Sequence, residues 1–385
     1  MKKYNMNIPD GAADIIFGNA LYVKKAVEIF TCVYKDLNYQ EIITPALEYY
    51  DTFSFASQMI AQEAMYKLSD NNGRLLVLRP DNTMPVARVV STKLNNDDFL
   101  KIYYNQNVFR MNTGYSGRKS EIIQSGIEII GVNGIKTDLH YIETALKILK
   151  STGLNFKLEI GHVGFYKSII ENMNLKDEEK ELVRLYIESK NTGEIDILSG
   201  EEYKIIRAIP QLFGGAEVIS EARALAKNNK KAGEILDYLQ RLYNILSRAG
   251  YGEHIIIDLG IVHEIDYYTG LVIGGYVEGI GESVLSGGRY DNLIANFGRD
   301  LPAVGFAVNI NLIAKALENS GRFADLQEKI AEIVHYDSEN YDMALDYIEE
   351  SRQTGIKVEL SCFESLRDTE NYAEQNGIES VVYIK

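Results

Sequence analysis

A charged, helix-forming stretch separates two strand-forming regions, and this interruption limits the folds open to the chain. Residues 164–248 have helical apolar spacing and many charges, with a proline-containing break at residues 209–215. Strand-forming sequence precedes this stretch and returns at residues 255–259 and 271–277. The pattern predicts an α+β fold in which an antiparallel sheet, flanked by helices, resumes after a helical insertion.

The flanking regions contain further elements recognisable from apolar spacing. Helices are predicted where apolar residues recur every three or four positions, and strands where β-branched residues alternate with polar ones. The predicted helices are residues 21–37 and 139–149 and a helix that follows Gly305 and ends near Glu318. The predicted strands are residues 41–44, stopped at Pro45, and residues 75–78, 102–110, 120–131 and 157–160.

The last sixty residues alternate between strand and helix patterns. Predicted strands at residues 330–335, 357–360 and 380–384 enclose predicted helices at residues 341–354 and 364–375. This alternation predicts a small α/β domain at residues 325–385. The remaining expected divisions are a first core segment at 1–160, the helical insertion at 161–250 and a second core segment at 251–320.

The composition limits which binding partners and which cellular compartment are expected. The 385 residues include 40 Lys and Arg against 55 Asp and Glu, a formal net charge of −15. Nucleic-acid affinity comes largely from basic residues that displace counterions, so tRNA is not an expected partner. No apolar run is long enough to span a membrane, and the first residues lack a secretory pattern. Two isolated cysteines fit a reducing environment, so we expect a cytoplasmic protein.

General nucleotide and metal motifs do not match. The run from Gly131 to Thr137 has the wrong spacing for a phosphate-binding loop, and Gly279-Ile-Gly281 lacks the third glycine of a dinucleotide fingerprint. The five histidines show no spacing that would cluster them on one helix face. No metal and no cofactor is therefore expected.

A set of ordered segments is far more specific. Together they resemble class II aminoacyl-tRNA synthetases, in particular the histidyl-tRNA synthetase family, over roughly residues 8–315. The segment ending Thr44-Pro45-Ala46-Leu47-Glu48 resembles motif 1, which builds the homodimer interface in that class. The others are Arg79-Pro80-Asp81-Asn82-Thr83, Asn107-Val108-Phe109-Arg110, Gln124-Ser125-Gly126-Ile127-Glu128, Asp266-Tyr267-Tyr268-Thr269-Gly270 and Gly287-Gly288-Arg289-Tyr290-Asp291.

The resemblance implies a pocket for histidine. A buried ammonium needs a carboxylate and neutral acceptors, and an imidazole needs an acceptor and an orienting hydroxyl. By resemblance the ammonium meets Asp81, Thr83 and Gln124. The imidazole meets Glu128 and Tyr268, and Tyr267 lines the cleft. The full expected histidine-binding set is Asp81, Thr83, Arg110, Gln124, Glu128, Tyr267 and Tyr268.

The residues that would handle ATP differ from those of the synthetase. Activation of an amino acid by ATP needs fixed cations on the phosphates. His263 stands where the synthetase has a catalytic arginine, and Leu312 stands where motif 3 has another. Asn112 replaces the motif 2 glutamate that contacts the nucleotide. We therefore expect no catalytic residues and no aminoacylation.

A histidine pocket without this chemistry resembles the regulatory subunits of ATP phosphoribosyltransferase. The resemblance implies a non-catalytic protein that partners the short-form catalytic subunit at the first step of histidine biosynthesis. Within that hetero-oligomer it implies a homodimer formed through the class II core, with histidine as feedback effector. The polar loop at residues 111–119 is the expected element that histidine orders. The alternatives are an active histidyl-tRNA synthetase with unusual motifs, or a module sensing histidine or a tRNA-like ligand with another partner.

Overall fold

The protein is described here by a computed structural model. The structure describes residues 7–54, 61–111, 119–171, 173, 175–190, 200, 203–227, 229–262, 267–323 and 329–385. The chain divides into two compact units, residues 1–322 and residues 323–385.

A large sheet forms the centre of the first unit. Nine strands of the described residues build it: β1 (Gln40–Glu41), β5 (Leu100–Phe109), β6 (Glu121–Ile130), β7 (Phe156–His162), β8 (Phe213–Gly214), β9 (Ile255–Asp258), β10 (Leu271–Val277), β11 (Leu285–Arg289) and β12 (Ala303–Asn309). Their order is β1-β5-β6-β12-β11-β10-β7-β9-β8. Neighbouring strands are antiparallel except β1 with β5 and β7 with β9, which are parallel. The α+β prediction with a mainly antiparallel sheet is confirmed.

Helices and a small second sheet surround this centre. The helices of the first unit are α1 (Phe17–Asp36), α2 (Asp51–Ser54), α3 (Thr83–Thr92), α4 (Ile135–Ser151), α5 (Val163–Ile170), α6 (Asp177–Glu188), α7 (Lys204–Ala208), α8 (Glu217–Ala226), α9 (Lys230–Arg248) and α10 (Ile310–Asn319). The small antiparallel sheet has the order β2-β4-β3, with β2 (Leu47–Tyr49), β3 (Lys67–Ser69) and β4 (Leu75–Leu78). Helix α1 packs against α4 and α10, so the central strands are buried.

The second unit is a three-stranded parallel sheet with two helices. Its strands are β13 (Glu332–Tyr336), β14 (Val358–Leu360) and β15 (Ser380–Ile384), in the order β14-β13-β15. Its helices are α11 (Tyr341–Gln353) and α12 (Leu366–Asn376). Val334, Ala344 and Ile348 form its buried apolar core. The alternation predicted for this segment is present in the structure.

Among the predicted elements, the strand at residues 41–44 and the helix after Gly305 differ from the structure in ways that have a physical explanation. The strand expected over residues 41–44 reaches only Glu41, because the Thr44 carbonyl turns to side-chain donors of Arg79 (2.7 Å) and Gln106 (3.1 Å). The helix expected directly after Gly305 begins at Ile310. Gly305 lies inside β12, where it pairs with residues of β6 and β11, and the chain enters α10 only at Asn309.

Candidate functional site

Six of the seven expected histidine-binding residues line one small cavity. It has a volume of about 110 Å³ and is bounded by the start of α3, the end of β5, the first half of β6 and the segment before β10. The six are Asp81, Thr83, Arg110, Gln124, Tyr267 and Tyr268. Backbone and side chains of β11 and β12 close the other side, through Ser286, Gly287, Gly305, Phe306 and Ala307, together with Tyr290.

The turn that carries Asp81 is held by two arginines. Buried Arg79 donates to the Asn107 carbonyl (2.7 Å) and so fixes the end of β4 against β5. Arg110 donates to the Pro80 carbonyl (2.8 Å) at the rim of the cavity. Asp81 Oδ1 then accepts the Met84 N–H (3.0 Å) at the first turn of α3. Burial raises the pKa of Asp81, while this hydrogen bond and the charge of Arg110 act in the opposite direction.

Glu128 lies directly beneath the cavity. Its side chain is 1% exposed, and its Oε1 accepts hydrogen bonds from Thr83 Oγ1 (2.9 Å) and Tyr104 Oη (3.4 Å). Its Oε2 forms a hydrogen bond with the Tyr290 hydroxyl. Burial raises the pKa of Glu128 to about 8, because desolvation outweighs the three hydroxyl donors, and the charge of Asp81 adds to the rise.

Glycine makes this close approach possible. A Cβ on Gly305 would lie 1.7 Å from Glu128 Oε2, so only glycine lets the carboxyl sit under the cavity floor. A Cβ on Gly126 would lie 2.5 Å from the Tyr104 hydroxyl, which bonds the same carboxyl.

Three tyrosines form an aromatic wall of the cavity. Tyr267 stacks on Tyr290 with ring centroids 5.4 Å apart and an interplanar angle of 11°. Tyr268 is tilted against Tyr267 at a centroid distance of 4.8 Å. A Cβ on Gly288 would lie 2.6 Å from the Tyr268 ring, so a glycine is needed behind it. The wall offers flat apolar faces to a planar side chain.

Sequence reasoning missed three residues of the site. Asn82 is buried and donates from Nδ2 to Gln124 Oε1 (3.1 Å), so it orients the amide of Gln124. Tyr290 lies within a motif already recognised, but nothing in its spacing indicated that it bonds Glu128. Tyr104 could be found only from the strand register, which places it opposite Gly126.

A second, larger cavity adjoins the first. It has a volume of about 880 Å³ and shares Arg110, Gln124, Ser286 and Ala307 with the smaller one. The resemblance places ATP here, and Leu312 lines it where the synthetase has its motif 3 arginine.

The charges around the larger cavity are balanced. Its cationic side chains are Arg110, Lys119 and Lys315, and its acidic ones are Asp14, Glu282 and Glu318. The two lysines were not anticipated from the sequence. Three cations matched by three carboxylates leave no net positive charge for a triphosphate, whose recognition depends on cation excess.

Several expectations fall outside the described residues. These are Asn112 and most of the loop at residues 111–119, together with His263 and Asp266. Their roles stay predictions. Among the residues that are described, no group of three or more His, Cys, Asp or Glu could hold a metal. Within the same residues, no helix has the length and apolar character needed to cross a membrane.

Comparison with known proteins identifies the family. Residues 11–313 match the family model described as histidyl-tRNA synthetase. A protein of Clostridium acetobutylicum named ATP phosphoribosyltransferase regulatory subunit is 42% identical over 99% of this chain and 95% of its own length. One of Bacillus cereus with the same name is 38% identical over 100% of this chain and 93% of its own.

Solved structures show the same relationship. An ATP phosphoribosyltransferase regulatory subunit/histidyl-tRNA synthetase from Bacillus halodurans superposes with a TM-score of 0.88 at 29% identity, covering 100% of this chain and 99% of that one. A histidyl-tRNA synthetase from Nostoc sp. PCC 7120 has a TM-score of 0.77 at 21% identity, covering 98% and 90%, which shows the shared fold. The class II synthetase-like fold is therefore confirmed. The chain belongs to the ATP phosphoribosyltransferase regulatory subunit family, which shares the fold of the histidyl-tRNA synthetases.

Proposed function

We propose that this protein is a non-catalytic regulatory subunit of ATP phosphoribosyltransferase that binds histidine in the 110 Å³ cavity. The names of its relatives support the regulatory role. One observation supports histidine as the ligand. Asp81, Thr83 and the tyrosine wall line one small cavity, which lies above the buried carboxyl of Glu128. An ammonium, a carboxylate and a planar ring each have a complementary wall there.

The ammonium of histidine would lie between Asp81 and Thr83. Thr83 donates its only hydroxyl proton to Glu128 (2.9 Å), so its remaining lone pairs can accept from an ammonium. Asp81 supplies the compensating negative charge that a desolvated cation needs. This division agrees with the expectation from the sequence for these two residues.

The carboxylate would lie toward Arg110 and Gln124. Asn82 donates to Gln124 Oε1, which leaves the N–H donors of Gln124 as its natural contribution to a ligand. We therefore propose that Gln124 contacts the carboxylate rather than the ammonium to which the resemblance assigned it. The imidazole would stack within the wall of Tyr267, Tyr268 and Tyr290, above Glu128 as the ring N–H acceptor.

The assembly follows from the same family assignment. We propose that the protein joins the short-form catalytic subunit and forms a homodimer through its class II core. Large apolar side chains on and beside the small sheet support the homodimer, since they are 42–80% exposed in the single chain: Ile43, Leu47, Tyr49, Leu68 and Leu75. Feedback inhibition then requires that histidine bind two states of the complex with different affinity.

Calorimetric titration tests the ligand assignment. We expect histidine to bind the full chain, and histidinol, which lacks the carboxylate, to bind at least tenfold more weakly. ATP is expected to give no heat of binding, because the neighbouring cavity has no cation excess. Binding of ATP without binding of histidine would overturn the proposal. Inhibition of the assembled transferase by histidine would then test the regulatory role directly.

One alternative has a structural observation in its favour. The 880 Å³ cavity lies beside the amino-acid cavity, and Arg110, Lys119 and Lys315 line it. The ATP site of a histidyl-tRNA synthetase would also need cationic side chains. An active synthetase would catalyse histidine-dependent exchange of pyrophosphate into ATP. We expect no exchange, and measurable exchange by the pure protein would favour this alternative.

A further inference from the structure

A chain of buried and half-buried polar contacts runs from the aromatic wall to helix α9. We call it the Arg289 cluster, and it consists of Thr269, Asp291, Arg289, Asp138 and Tyr238. Arg289 is 5% exposed and Asp138 is 3% exposed.

Arg289 is held by two carboxylates on opposite sides. Its Nη1 donates to Asp291 Oδ1 (2.9 Å), and its Nε donates to Asp138 Oδ1 (3.1 Å), which Nη2 also contacts. His162 nearby stays neutral, since burial and then the charge of Arg289 lower its pKa to about 4. A buried guanidinium is tolerated only with such pairing, so the positions of Arg289 and its carboxylates depend on one another.

On the cavity side, the cluster fixes the aromatic wall. The Thr269 N–H donates to the Arg289 carbonyl (2.7 Å), and the Asp291 N–H donates to Thr269 Oγ1 (3.1 Å). Thr269 directly follows Tyr268, and Tyr290 lies between Arg289 and Asp291 in the chain. A displacement of either tyrosine by a ligand therefore acts on the backbone that carries the Arg289 guanidinium.

On the opposite side, the cluster reaches the helical segment. Asp138 uses Oδ1 for Arg289 and Oδ2 for the hydroxyl of Tyr238 on α9. Tyr238 is half-buried, and its ring also meets His162 edge-on at 6.4 Å. The same carboxylate thus joins the cavity wall, through Arg289, to a helix of residues 161–250.

We propose that Arg289 is a positioning residue that couples occupancy of the amino-acid cavity to helix α9 through Asp138 and Tyr238. The inference rests on the proposed histidine site. It adds a route by which histidine binding in the cavity affects a distant helix. Coupling of this kind is carried by packed polar networks that link two elements. Ligand contact with Tyr290 or Tyr268 shifts Arg289, and Asp138 passes the shift to the Tyr238 hydroxyl.

Tyr238→Phe tests the route with little disturbance of packing, because it removes only the hydroxyl that bonds Asp138. Tyr243→Phe is the matched control, since Tyr243 is a half-buried tyrosine of the same helix outside the cluster. Hydrogen–deuterium exchange of α9 is measured on the full chain with and without saturating histidine. Calorimetry gives the histidine affinity of each variant.

In the wild type and in Tyr243→Phe, histidine is expected to change the exchange of α9 amides. In Tyr238→Phe the change should fall at least twofold while histidine affinity stays within about twofold of the wild type. In the complex with the catalytic subunit, the inhibitory effect of histidine should weaken by about 2- to 30-fold in this variant.

An unchanged α9 response in Tyr238→Phe would refute the route, as would histidine binding that leaves α9 unaffected in the wild type. An equal loss in Tyr243→Phe would also refute it, since the effect would then belong to the helix in general. Absence of histidine binding to the wild type would instead refute the proposed function, and this coupling with it.

Discussion

Replacing Glu128 by glutamine should change how the stability of the protein depends on pH. Burial raises the pKa of Glu128 to about 8 from its ordinary value of 4.5. The folded protein therefore keeps a proton on this group that the unfolded chain loses above pH 4.5. The stability linked to this proton is fully present below the unfolded pKa and is lost as the pH rises toward 8.

The size of the effect follows from the pKa difference. Each pH unit between the two pKa values costs about 1.4 kcal/mol of unfolding free energy. From pH 5 to pH 8 the wild type should lose on the order of 4 kcal/mol through Glu128 alone. Glutamine resembles the protonated carboxyl in shape and does not ionise. The Glu128→Gln variant should therefore exceed the wild type in stability by less than about 1 kcal/mol at pH 5 and by on the order of 4 kcal/mol at pH 8.

Urea unfolding at half-unit pH intervals, at constant ionic strength, measures this difference. Titrating groups that do not interact with Glu128 affect both proteins equally. The difference between the two free energies therefore reports on Glu128 and on Asp81, whose charge is coupled to it. Glu318→Gln, which removes an exposed carboxylate at the rim of the larger cavity, controls for the loss of one negative charge. If the wild type and Glu128→Gln give parallel curves from pH 5 to pH 8.5, the proposed proton on the buried carboxyl is wrong.

Three further substitutions test the candidate site, the close packing at Gly305 and the ion pair between Arg88 and Glu48. Asp81→Asn removes the charge that is proposed to face the ligand ammonium and should weaken histidine binding about 10- to 100-fold by calorimetry, since charged hydrogen bonds are worth roughly 1.5–3 kcal/mol. Gly305→Ala forces a Cβ to 1.7 Å from a buried carboxyl oxygen and should lower the melting temperature, whereas Gly281→Ala, with open space around it, should not. Arg88→Met removes the two N–H groups that donate to the buried carboxylate of Glu48 (2.9 and 2.6 Å). The free energy of unfolding, measured in urea, should fall by about 3–5 kcal/mol. A fall of less than about 1 kcal/mol would contradict the structure.

Most residues that line the smaller cavity could be named from the sequence because they fall in short runs whose order matches a known family. Asp81, Thr83 and Gln124 each lie within such a run, and the structure brings them to one cavity. Their hydrogen-bond polarity could not be predicted in this way. Asn82 donates to Gln124 Oε1, a contact between residues 42 positions apart, and this contact supports the proposal that the N–H donors of Gln124 face the ligand. Sequence spacing contains no information on which end of an amide points into a cavity.

The fold shows the same division between local pattern and long-range contact. The C-terminal strands and helices were predictable because apolar periodicity decides such short elements locally. The end of β1 was not, because side chains of Arg79 and Gln106, from distant segments, capture the Thr44 carbonyl that a longer strand would have used. The start of α10 could not be predicted locally either, since Gly305 lies in β12 and pairs with Glu128 of β6.

The protonation of Glu128 is the clearest case of a property set by register. Glu128 pairs with Gly305 across β6 and β12, and Tyr104 pairs with Gly126 across β5 and β6. Each glycine lets a neighbouring polar group come closer than a side chain would permit, so the carboxyl is sealed from water yet surrounded by hydroxyls. A one-residue slip in the pairing of β6 would place the Glu128 side chain on the opposite face of the sheet. A cation entering the cavity would favour the ionised carboxyl, so binding of a cationic ligand should release a proton near neutral pH.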